Sequence, residues 1–103
     1  MKESEVLKKK WDEVLMLTAV GASTYMEYRE PEALKTFLLL LLGLLQITSK
    51  LRDELKSDPS EDNFPVFQET EEALYLFGRL PLESAEDFIT RYTEEVKAQL
   101  DAL

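Results

Sequence analysis

The sequence predicts an all-α protein, a four-helix bundle-like domain made of two antiparallel helical hairpins with a Leu-rich central helix 2, and residues 1–103 read as a single helical domain. Three observations carry that expectation. Apolar residues recur at helical intervals, with none of the Val/Ile/Thr alternation that marks strands. Only three Gly and four Pro interrupt the chain, and they divide it into four segments. One of those segments, Phe37 to Ile47, is apolar nearly all round a helical wheel.

The first helix is expected from about Ser4, a good N-cap residue followed by Glu5 where the helix dipole favours an acid, to about Tyr28. Its seam is Leu7, Trp11, Val14, Thr18, Gly21, Tyr25 and Tyr28, spaced alternately four and three residues apart as in left-handed helix packing. Gly21 and Ala22 would let a partner backbone come close. Pro31 suits the first position of helix 2 and pushes Glu30 out of the α region, so a tight turn at Arg29-Glu30 folds the second helix back on the first. The competing expectation is one long helix kinked at Pro31, because neither Gly nor Asn stands where a C-cap belongs.

Helix 2 then continues to about Lys56, and Ser57 to Asn63 reads as a loop rich in turn formers and acids. Helix 3 is expected from near Pro65 to near Gly78, with Pro81 barring simple continuation. Helix 4 begins at Ser84, where Ser84-Ala85-Glu86-Asp87 has the form of a capping box with Asp in place of the usual Glu, and runs to the C-terminus. Its apolar stripe is narrow and its other face polar.

Composition removes much chemistry. Without Cys there is no disulfide, thiolate nucleophile or zinc ribbon, and without His no imidazole base or haem ligand. No cofactor is implied. A formal charge of −9 opposes nucleic-acid binding and favours, if anything, a basic protein partner. The N-terminus, Met1-Lys2-Glu3-Ser4-Glu5, lacks the apolar core of a secretory signal. The uncharged run Thr36 to Ser49 would reach about 21 Å as a helix against a hydrocarbon core of about 30 Å. A cytoplasmic, non-membrane protein is therefore expected, and the abundance of Glu and Lys with little Asn or Gln is thermophile-like.

The main functional signal is an excess of apolar surface. Leu39 and Leu42, with Gly43 and Gln46, fall on the half of helix 2 that also carries Lys35, Lys50 and Asp53, and Met16 and Val20 lie one turn apart on the polar side of helix 1. Each exposed Leu forgoes about 1.5–3 kcal/mol of burial. A homodimer joined through helix 2, with Leu39, Leu42, Gly43, Gln46, Met16 and Val20 at the interface, would recover it. The alternative is a monomer in which helix 2 is wrapped on all sides. Length favours the first, since two helices of about 38 Å cannot be covered by one of about 21 Å.

Two further functions are consistent with the acids. Glu71-Glu72-Ala73-Leu74-Tyr75 and Glu83-Ser84-Ala85-Glu86 resemble in part the all-α nucleoside-triphosphate pyrophosphohydrolases, which hold Mg²⁺ with Glu-Glu-x-x-Glu on one helix and Glu-x-x-Asp on the next. The pattern departs at Tyr75 and at Glu86, where the third acid and the Asp belong. The resemblance implies a Mg²⁺-dependent hydrolase; the overall charge alone would suit an acidic decoy for a basic protein. The expectation favoured here is a non-enzymatic interaction or scaffold protein.

Overall fold

The computed structural model describes Lys2 to Leu103. Four helices, α1 (Glu3–Tyr28), α2 (Pro31–Ser57), α3 (Phe64–Leu76) and α4 (Ala85–Asp101), pack together, with a short 3-10 turn at Glu61–Asn63 and no strand among the described residues. The chain is all-helical, as its periodicity requires.

α1 starts one residue before the expected cap. The extended residue is Lys2, whose carbonyl accepts from the amides of Glu5 and Val6, and Ser4 is buried inside the first turn without capping it. At the other end the reversal is made by Arg29, which takes the left-handed conformation (φ 56°) that Gly normally supplies, and its amide donates to the Tyr25 carbonyl at 2.8 Å. Its guanidinium lies 5.5 Å from the Tyr25 ring centre. Glu30 is extended, as Pro31 demands, and α2 returns along α1. The register is read from Lys2 paired with Asp58, Trp11 bonded to Thr48, and Gly21 against Phe37 and Leu40. The chain forms a hairpin here, and the kinked-helix alternative does not hold.

α2 is the hub. Leu44, Leu45 and Leu51 are wholly buried, and Leu38, Leu41 and Leu55 nearly so. By length and composition α2 as a whole is apolar enough to cross a membrane, although the Thr36 to Ser49 run alone is short; here it is the helix on which the other three pack. Trp11 caps this core from α1, its Nε1 donating to Thr48 Oγ1 at 2.8 Å while that hydroxyl donates to the Leu44 carbonyl at 2.6 Å. Both polar groups are thereby satisfied.

α4 runs against α2, with Glu86 beside Lys56 at one end and Thr93 and Glu94 beside Leu45 and Gln46 further along. Its cap is the expected one, Ser84 Oγ accepting from the Asp87 amide at 3.1 Å. α3 ends in a Schellman closure. Arg79 donates to the Leu74 carbonyl, Gly78 donates to that of Tyr75, and Gly78 has φ 116°. Between α3 and α4 the packing centres on Leu74 against Ala85 and Phe88, so each leans chiefly on α2. Four packed helices, with one clear hairpin, describe the fold.

Candidate functional site

Because α3 and α4 pack on one side of the α1–α2 hairpin, the opposite side has no intrachain cover. Along it runs a groove of about 320 Å³ lined by Leu17, Val20, Gly21 and Thr24 from α1 and by Glu32, Ala33, Thr36 and Leu40 from α2. Its floor is tight: a Cβ on Gly21 would stand 3.1 Å from Leu40 Cδ1 and 3.6 Å from the Phe37 backbone. Gly21 thus provides the close approach expected of it. The groove walls are wet, with Leu17 53% and Val20 58% exposed, and Leu39 just beyond them is 52% exposed.

The six residues expected at an interface do not all share this face. Val20 lines the groove, and helical spacing places Gly43 on the same side of α2 as Thr36 and Leu40, with Leu39 further round the helix in the row it shares with Gln46. Gln46 and Met16, both exposed, turn toward opposite edges, Met16 pointing away from α2. Leu42 is half-buried and packs against the core, which removes it from the wet set. Nothing lies within 4 Å of where a Gly43 Cβ would be, so its lack of a side chain serves no contact within the chain. Leu17 and Leu40 were not singled out in the sequence, although both follow from rotating the two wheels to bring Trp11 and Gly21 against α2.

Of the acids that resemble a Mg²⁺ motif, Glu71, Glu83 and Glu86 are engaged in other contacts, and Glu72 is exposed. Glu71 lies between two guanidiniums, 2.7 Å from Arg52 and 2.6 Å from Arg79. Burial would raise its pKa, but hydrogen bonds from Arg79 and Arg52 outweigh that and hold it below the usual carboxylate range. Glu86 is paired with Lys56, whose hydrogen bond lowers its pKa, and it lies 3.8 Å from Arg52. Glu83 accepts from Arg91 through both oxygens at 2.8 and 2.9 Å, which takes its pKa to about 2. Among the described residues no three acidic side chains converge in a way that could hold a metal ion. The geometry is that of a clamp joining α2, α3 and α4.

Arg52 is the centre of that clamp. It is 4% exposed, donates to Thr70 Oγ1 at 3.1 Å, and lies 4.4 Å from the Phe67 ring centre. Thr70 in turn donates to the Phe67 carbonyl. A buried guanidinium with a carboxylate, a hydroxyl and an aromatic face around it is fully provided for. Set against known proteins, the chain matches no family, no curated protein and no solved structure.

Proposed function

We propose that the protein is a non-enzymatic helical interaction protein that forms a homodimer through the uncovered face of its α1–α2 hairpin. The observation that carries this reading is the area left bare. The accessible surface is 6720 Å², against about 6000 Å² expected for a compact monomer of this mass. That surplus belongs to the elongated molecule as a whole, and the hairpin face contributes to it through Leu17, Val20 and Leu39, each more than half exposed. A second copy is the occupant proposed, because an identical face could cover the apolar surface of Leu17, Val20, Leu39 and Leu40 without foreign chemistry. The interface comprises Val20, Leu39 and Gly43 at its centre with Met16 and Gln46 at its edges; Leu42 supports it from beneath. The acidic outer faces stay in water, free to attract a basic protein, and the reading carries with it a cytoplasmic setting.

Light scattering on the wild type and on Val20→Lys/Leu39→Lys tests it. The wild type is expected at twice 11.9 kDa and the variant at 11.9 kDa with unchanged helical circular dichroism. A wild type that stays at the monomer mass at high concentration, or a variant that remains dimeric, overturns the proposal.

A further inference from the structure

The outer side of α2 carries a seam of its own. Glu32, Thr36, Leu39, Gly43, Gln46 and Lys50 follow one another at intervals of four and three residues, the spacing that keeps a row of side chains facing a neighbouring helix. The other helices leave this row open. All but Gly43 are exposed, Leu39 by 52%, and nothing lies within 4 Å of where a Gly43 Cβ would stand. Neither Glu32 nor Lys50 takes part in an ion pair among the described residues.

The row complements itself when a second α2 is laid against it in the opposite direction. With Leu39 of one copy opposite Gly43 of the other, Thr36 meets Gln46 and Glu32 meets Lys50, and two-fold symmetry repeats every pair. A large apolar side chain then stands over a position that has none, a hydroxyl faces a carboxamide that can both donate and accept, and a carboxylate faces an ammonium. Other arrangements lose this fit. A parallel pair sets Glu32 against Glu32 and Lys50 against Lys50, and sliding the antiparallel pair by one heptad sets Leu39 against Lys50.

We infer, resting on the homodimer reading above, that the two copies meet through antiparallel α2 helices, with Leu39 of each seated over Gly43 of the other and Glu32 paired with Lys50 at both ends. The seam's charge and bulk complement one another within a single sequence, which is why the occupant is a second copy of this chain. The inference also accounts for Gly43. A mid-helix glycine lowers helix propensity, and this one serves no contact within the chain; between two chains it makes room for Leu39.

Glu32 and Lys50 of one chain stand about 27 Å apart along α2, so a direct Glu32–Lys50 amide formed by a zero-length carbodiimide can only join two chains. Coupling of mixed unlabelled and isotope-labelled wild-type protein, with peptide mass spectrometry, is expected to give that link in mixed-isotope form. Glu32→Lys is expected to weaken the dimer about 3–30-fold by light scattering, and Glu32→Lys/Lys50→Glu to restore it. A dimer that yields no Glu32–Lys50 link, or whose double reversal is no tighter than the single one, overturns the antiparallel register and leaves the homodimer standing. A monomeric wild type overturns both.

Discussion

Arg52 is a cation on the most apolar helix of the chain, and its surroundings explain how it can be there. Its guanidinium meets Glu71, Thr70 and the Phe67 ring, so truncation would take one partner from a half-buried carboxylate and one from a buried hydroxyl that keeps only the Phe67 carbonyl. Glu71 keeps Arg79, which limits the damage. Arg52→Ala is expected to cost about 2–3 kcal/mol, seen as a lower midpoint in urea unfolding. The paired carboxylates of this clamp and of the Glu83–Arg91 bridge set the acid limit. Glu71, Glu83 and Glu86 all have lowered pKa values in the folded state, so the unfolded chain takes up protons first as pH falls. Stability is full above the ordinary carboxylate value of 4.5 and declines from there toward pH 2, where Glu83 itself protonates. Melting temperatures across that range check this, and Arg91→Gln is expected to flatten the lower part of the curve.

At the scale of the helices, Gly21 on α1 and Gly43 on α2 give opposite answers to one substitution. Gly21 lies beneath Leu40, whereas Gly43 faces open space. Adding a methyl group at Gly43 costs no contact and removes backbone freedom from the unfolded chain, so Gly43→Ala should stabilise by about 0.5–1 kcal/mol. Gly21→Ala gains the same propensity but must displace Leu40 Cδ1, and falls short of that gain. Both are best measured by urea unfolding in the Val20→Lys/Leu39→Lys background. Helix positions were legible in the sequence because Pro31, Pro65, Gly78 and Ser84 carry strong local rules. The closure of α1 was not. An arginine in the left-handed region violates the preference that makes Gly the expected cap, and it is held there by the tertiary return of α2. Leu42 shows a second limit, since a wheel gives its direction on α2 but says nothing of which neighbour stands there.

The whole molecule is elongated, 44 × 30 × 19 Å with a radius of gyration of 14.3 Å, against about 13 Å for a compact chain of this length. The cause is a mismatch of lengths that the sequence already contains: α1 and α2 have 26 and 27 residues, α3 and α4 only 13 and 17. The uncovered face has a further cause, the packing of α3 and α4 on one side of the hairpin. Its detailed membership depended on how the helices rotate about their axes, which is why Leu17 and Leu40 entered and Leu42 left. The depression beside Pro59 was not legible at all, because it is formed where the Pro59–Asn63 connection meets Leu55 and Phe67.

Trp11 is the lone indole in the chain, and it is buried at the α1–α2 seam with its nitrogen on Thr48. The protein therefore has a built-in optical probe for one event. Its emission shifts to the red when α1 parts from α2, whereas far-ultraviolet dichroism sums all four helices. Following both signals through one denaturant series distinguishes a single cooperative unit from a hairpin that outlasts the shorter helices packed on it.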